Sequence, residues 1–139
     1  MSGALGFSWD GEKARLFART RRGSFNTESL IAFLRGLRRF VQQQHVILIW
    51  DRLPAHRSHM MADFIQSQRH WLQIEWLPAY APDLNPIEGV WNNIKSREMA
   101  NYCPDLLSAA AKRFRSGLNR VSHTRRLPLS LLRHAGLSF

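Results

Sequence analysis

A chain of 139 residues, 45% of them hydrophobic, can fill one compact core, and no second domain is expected. Its 20 Lys and Arg against 10 Asp and Glu give a net charge of +10, which attracts polyphosphate surfaces by releasing condensed counterions, so nucleic acid is the natural partner. The lone Cys103 excludes an internal disulfide and predicts a buried or inert thiol in a reducing cytoplasm; no apolar run approaches the roughly 20 residues a membrane helix needs, and no signal peptide is read at the start.

In chain order, a hairpin comes first, with strands over 5–9 and 13–18 joined by Asp10-Gly11 as a two-residue turn. A basic link over 19–23 follows. Asn26 or Thr27 then caps a helix whose Leu30, Phe33, Leu34 and Leu37 keep helical spacing and form a core stripe, with Arg35 and Arg38 facing outward. The next strand, 45–50, carries a continuous apolar run from Val46 to Trp50 that ends at Asp51, the pattern of a buried parallel strand with an acid at its carboxyl end. A helix over about 57–69, a strand over 72–76 and a loop over 77–84 lead to a helix that runs from Pro86 to about Ala100. Pro104-Asp105 opens a further helix toward Val121, and 127–139 is a tail with helical character. The order is α/β, and pattern alone does not choose among α/β folds.

The loop before Pro86 is stiffened by Pro78 and Pro82, and it delivers a carboxylate, Glu88, onto the first turn of a helix. Asn85 reads as the N-cap and Pro86 as the first helical residue, where its missing N–H and fixed φ cost nothing. Two readings of Glu88 stand side by side. Asn85 and Glu88 have capping-box spacing, so Glu88 closes the helix start; or Glu88 and Asp51, acids on two rigid elements, belong to a metal site. Trp50, Trp71, Trp76 and Trp91 read as core and not as base-stacking platforms. The pair His56 and His59 lacks the partners a zinc site needs, since neither Cys103 nor His70 offers recognisable ligand spacing.

The segment from Trp50 to Ser58, with Asp51 at a strand end and His56 five residues on, resembles the second-acid motif of the IS630-type bacterial transposases, relatives of the Tc1/mariner group within the DDE superfamily of ribonuclease H-like enzymes. Tyr80, the run Pro82 to Glu88, Trp91 and Lys95 resemble the same family's third-acid motif. The likeness extends from Gly3-Ala4-Leu5 to Ala135-Gly136-Leu137 and takes in Ala100-Asn101-Tyr102-Cys103-Pro104. Arg52 departs from it, standing where many members have Asn.

The resemblance implies a ribonuclease H-like fold and metal-dependent DNA cleavage and strand transfer, with two Mg²⁺ or Mn²⁺ held by three acids. Asp51 and Glu88 would be the second and third of these, both catalytic and metal-binding. His56 and Asn85 would be structural or support the metal ligands from behind; for His56 this is favoured because metal-activated water needs no general base. Arg52, Arg57 and Lys95 are candidate DNA contacts, each with a solvated side chain as the alternative. DNA, a second copy of the chain on paired DNA ends and an upstream transposase segment are the implied partners, in a bacterial cytoplasm at the nucleoid.

In the family the first catalytic Asp lies on a strand before the hairpin with which this sequence begins, and that role is not carried onto Asp10. Met1 therefore reads as an internal start in a truncated or frameshifted gene. The missing strand would be central in the sheet, so the isolated chain is expected to be unstable, rearranged or completed by another segment, and inactive alone. Three functional readings remain: a transposase fragment active when the first acid is supplied, an inert DNA-binding remnant, and another ribonuclease H-like nuclease acting on RNA or branched DNA. The helix-turn-helix module that would read an inverted repeat is not expected here.

Overall fold

The computed structural model describes residues 2–10, 12–21, 23–42, 44–79, 81–103, 107–124 and 126–136. Its elements are β1 (Ser2–Phe7), β2 (Ala14–Arg19), α1 (Thr27–Phe40), β3 (Val46–Trp50), α2 (His59–Ser67), β4 (Leu72–Trp76), α3 (Pro86–Glu98), α4 (Leu107–His123) and α5 (Arg126–His134), with single 3₁₀ turns at Pro54–His56 and Pro82–Leu84. Gly11 of the expected turn, Tyr80, the Pro104-Asp105 helix opening and the last residues of the tail lie outside the described residues. Strands pair as two two-stranded sheets, β1 with β2 and β3 with β4. The chain divides into two units, one from 17–82 with residues 2–3, the other from 4–16 with 83–136.

In the first unit, Asn26 caps α1 by accepting from the Ser29 amide at 3.0 Å, while Ser29 Oγ accepts from the Asn26 amide at 2.8 Å. The reciprocal cap satisfies two backbone donors that the helix itself leaves open. Leu30, Phe33, Leu34 and Leu37 are buried as their spacing requires, each contributing about 1.5–3 kcal/mol over exposure. Phe17 of β2 meets Phe33 and Phe40 with ring centroids 5.0 and 5.2 Å apart. Arg38 does not face outward beside Arg35. Its guanidinium lies over the Trp71 ring at 5.8 Å and donates to Gln68 Oε1, which also accepts from Trp71 Nε1. A long aliphatic stem lets Arg cover an apolar ring and still reach polar partners.

Strands β3 and β4 run parallel in the register Val46↔Leu72 to Trp50↔Trp76. The expectation of a strand buried on both faces is corrected: burial alternates along β3, and Ile47 and Ile49 are 54% and 43% exposed. Among the described residues the Ile47 and Ile49 face of this pair stays open, so the apolar run at 46–50 overstated its enclosure. Trp71 is core as expected, Trp50 is half-buried, and Trp76 is exposed. Helix α2 begins two residues later than the spacing suggested, because Pro54 starts a 3₁₀ turn and Ser58 takes the cap, accepting from the Met61 amide at 3.3 Å.

In the second unit α3 packs on α4 and α5 around Val90, Ile94 and Val121, with Leu5, Leu16, Trp91, Phe114 and Leu131 closing the cluster. Trp91 and Phe114 ring centroids lie 5.9 Å apart, in keeping with the core reading of Trp91. Close helix approach depends on Gly117, where an added Cβ would stand 2.8 Å from Ile94 Cγ2. Arg120 of α4 grips Glu98 of α3 through Nε to Oε1 at 2.6 Å and Nη2 to Oε2 at 3.1 Å, and Nη2 also reaches Asn93 Oδ1 at 2.7 Å. Helix α3 ends at Glu98, just short of the expected Ala100, and Asn101 follows in the left-handed conformation at φ 55°. Cys103, expected to be buried or inert, is exposed.

The hairpin connection also differs from expectation. Trp9 is not in a strand but in the turn, 87% exposed. The Ser8 hydroxyl donates to the Asp10 carboxylate and accepts from the Lys13 amide, and the Glu12 amide donates to Asp10 Oδ1, so side chains set a wider turn than two residues. The Ser8 hydroxyl and the Glu12 amide hold the Asp10 carboxyl below the usual aspartate range.

Candidate active site

Asp51 follows directly on β3, where the strand's carboxyl end meets a 3₁₀ turn. Its side chain is 42% exposed, and Oδ1 is doubly engaged: the Leu53 amide donates to it at 3.2 Å and His56 Nδ1 stands 2.7 Å away. His56 Nδ1 also lies 3.1 Å from the Asp51 carbonyl oxygen. No hydrogen bond to Asp51 Oδ2 is found among the described residues. The His56 ring stacks on Trp50 at 3.9 Å, and Trp50 stacks with Trp76 at 6.3 Å across the β3–β4 pair. The turn is tied down from outside by Thr27, whose hydroxyl donates to the Ala55 carbonyl at 3.3 Å and lies 3.0 Å from Ser58 Oγ. The Trp50–Trp76 stack and the Thr27 tie join residues distant in sequence, and no local pattern marks them.

Arg52 and Arg57 are both exposed. Arg52 is not wholly given to solvent, because its Nε donates to the Leu77 carbonyl at 3.1 Å and so fastens the residue after Asp51 to the end of β4. His59 opens α2 with its side chain exposed. Among the described residues no three His, Cys, Asp or Glu side chains group to hold a metal ion by themselves.

In the second unit Glu88 is half-buried in the first turn of α3. The capping-box reading fails on geometry. Asn85 caps the helix, but its Oδ1 accepts from the Ile87 amide, at a long 3.4 Å, and the Glu88 amide donates to the Asn85 carbonyl at 3.0 Å. The Glu88 carboxylate returns no bond to the Asn85 backbone and has no ion pair or hydrogen bond among the described residues. It stands instead where helix N-terminal dipoles favour a negative charge. Lys95, two turns along the same helix, is exposed.

As donors, both acids suit a hard divalent cation. Each offers a carboxylate oxygen with no protein hydrogen bond among the described residues, and Mg²⁺ or Mn²⁺ prefers oxygen ligands with room left for water and phosphate. Asp10 is not equivalent, since its carboxylate serves the hairpin turn.

The sequence matches the family model described as DDE superfamily endonuclease over residues 8–106, well over half of the chain and including both Asp51 and Glu88. The chain belongs to the DDE superfamily of endonucleases. No curated protein sequence matches it. Among solved structures, it is similar to the catalytic domain of the Mos1 mariner transposase, with 19% sequence identity and a TM-score of 0.58, covering 96% of this chain and 74% of that one. It is similar also to the Mos1 transposase catalytic domain with Raltegravir and Mg, at 18% identity and TM-score 0.57 over 97% of this chain and 78% of that one. A third similar structure is the Mos1 domain with Raltegravir and Mn, at 19% identity and TM-score 0.57 over 96% of this chain and 74% of that one. This DDE endonuclease therefore has the mixed α/β, ribonuclease H-like fold of that domain. Among its described residues, no helix is long and apolar enough to cross a membrane.

Proposed function

We propose that this DDE endonuclease is a DNA transposase of IS630 type, in which Asp51 and Glu88 are two of the carboxylates that hold Mg²⁺ or Mn²⁺ for cutting and joining DNA strands. The observation that carries the reading is the Glu88 carboxylate, held on the first turn of α3 by Pro86 and unused by the cap its spacing suggests. The motif resemblance over 50–58 and 77–95 supports it, as does a likeness to a domain solved with Mg and with Mn.

A bound divalent cation supplies charge neutralisation on the phosphate and a more acidic water. The protein's part is to present oxygens and exclude wrong geometry. Asp51 would offer a carboxylate from a rigid strand end, Glu88 would offer one from a rigid helix start, and the basic surface would hold the DNA backbone. Arg52, Arg57 and Lys95, all exposed cations, are proposed phosphate contacts. The resemblance assigns the first acid to another strand, and Asp10 does not take its place. Work as a homodimer on paired DNA ends is part of the same proposal.

A second reading rests on the net charge of +10: a protein that binds DNA through its basic surface without cleavage. With the first acid supplied by an upstream segment, Mg²⁺-dependent cleavage of duplex DNA that disappears in Asp51→Asn and in Glu88→Gln supports the first reading. DNA binding without cleavage supports the second, and a preference for an RNA–DNA hybrid over duplex DNA would replace both with a nuclease of another kind.

A further inference from the structure

Among the described residues His56 is the one buried polar or charged side chain of the core, 6% exposed, and metal-assisted cleavage as described gives it no task. Its surroundings are specific. One face of the ring is stacked on Trp50 at 3.9 Å, and Nδ1 is aimed at two acceptors of the same residue, Asp51 Oδ1 at 2.7 Å and the Asp51 carbonyl oxygen at 3.1 Å. Neither partner has a hydrogen to give when the carboxyl is ionised, so the hydrogen sits on Nδ1 and His56 is the donor. With the Leu53 amide at 3.2 Å, Oδ1 receives two donors and Oδ2 none among the described residues.

An Asp carboxylate at a solvent-facing strand end otherwise turns broadly about its terminal torsion and exchanges its two oxygens. Here a donor buried under an indole holds one oxygen in place. We infer that His56 is a positioning residue: stacked on Trp50, it pins Asp51 Oδ1 so that Oδ2 is the oxygen presented to a hard divalent cation. This rests on the assignment of Asp51 as a metal ligand. It deepens that assignment by naming the oxygen and the side chain that selects it. Partners that orient a ligating carboxylate in this way are typically worth about 10–100-fold in metal affinity.

The test is Mn²⁺ binding to the full chain by titration calorimetry, with thermal unfolding recorded alongside. His56→Phe keeps a ring against Trp50 and removes the donor. His56→Asn restores a nitrogen at the place of Nδ1 without the ring, and His56→Ala removes both. The expected result is Mn²⁺ affinity about 10-fold or more weaker in the Phe and Ala variants, with Asn within about threefold of the unaltered chain whatever its thermal stability. A Phe variant that binds as tightly as the unaltered chain overturns the inference. If the Phe variant does not fold, an Asn variant no better than Ala overturns it equally, since His56 would then be a pin of the fold alone. Asp51→Asn separates the two claims: if it binds Mn²⁺ undiminished, or the unaltered chain binds none, the assignment of Asp51 as a ligand has failed and His56 falls with it. If Asp51→Asn loses binding while the His56 variants keep it, the failure is confined to His56.

Discussion

Asn85 and Glu88 share the first turn of α3, yet Asn85 alone serves the cap, through an Oδ1 that accepts from the Ile87 amide at 3.4 Å. Loss of a capping side chain costs about 0.5–2 kcal/mol, and the length of this bond puts Asn85→Ala at the lower end. Glu88→Gln should change stability by no more than about 0.5 kcal/mol, as for a side chain with no structural partner. Urea unfolding of both variants checks this; a Glu88→Gln loss well above about 1 kcal/mol, more than the helix-dipole position accounts for, would return Glu88 to a structural role.

The Glu98–Arg120 pair predicts a pH dependence. The Arg120 hydrogen bonds hold the Glu98 carboxyl below the usual glutamate range, and the same bonds raise Arg120, which stays charged throughout. A depressed acid pKa contributes stability that is fully present above the ordinary glutamate value of about 4.3 and is lost as pH falls through the lower folded value. Melting curves between pH 6 and about pH 3 should therefore show a drop in stability that is smaller in Glu98→Gln. Arg120→Ala, which strands the partly buried carboxylate, should cost about 1.5–3 kcal/mol at neutral pH. An unchanged acid limb in Glu98→Gln would contradict this.

Gly117→Ala weighs two opposing effects. Replacing glycine within a helix gains about 0.8–1 kcal/mol in propensity. The new methyl would meet buried Ile94 Cγ2 at 2.8 Å and Glu98 Oε2 at 3.0 Å, and overpacking of this kind costs about 1–3 kcal/mol. Net destabilisation follows, with a lower melting temperature. A variant more stable than the unaltered chain would show that α3 and α4 separate without penalty.

A net charge of +10 predicts that binding to random duplex DNA weakens steeply as salt rises, roughly linearly in log K against log salt. Arg57→Ala and Lys95→Ala should each lower the slope by about one phosphate contact. Fluorescence anisotropy across a salt series reads both quantities, and an affinity insensitive to salt would exclude a phosphate-dominated surface.

Much of the local structure was legible because periodicity is a local signal. Leu30, Phe33, Leu34 and Leu37 recur at helical spacing and are buried, and the strand ending at Trp76 has the expected bounds. Both acids sit where the sequence put them, one after β3 and one in the first turn of α3. What the sequence concealed was decided by which partners side chains take and which faces the fold leaves open. Asp10 widened the hairpin turn, Arg38 folded over Trp71, and Ile47 and Ile49 remained exposed although their composition suits an interior. The capping-box spacing at Glu88 was ambiguous for a related reason, since the pattern fixes where a carboxylate begins and not which donor it meets. The stack of His56 on Trp50 depends on the turn through Pro54, which brings a residue six positions on back beneath the indole.

Nicking of supercoiled plasmid in Mg²⁺ or Mn²⁺ by the chain together with an upstream segment that supplies the first acid, compared with Glu88→Gln at matched fold and matched DNA binding, tests the central claim most directly. The account predicts metal-dependent nicking that is lost in Glu88→Gln and in EDTA. Nicking that survives the substitution would contradict the assignment of Glu88, and DNA binding with no nicking once the first acid is supplied would leave the non-cleaving reading in its place.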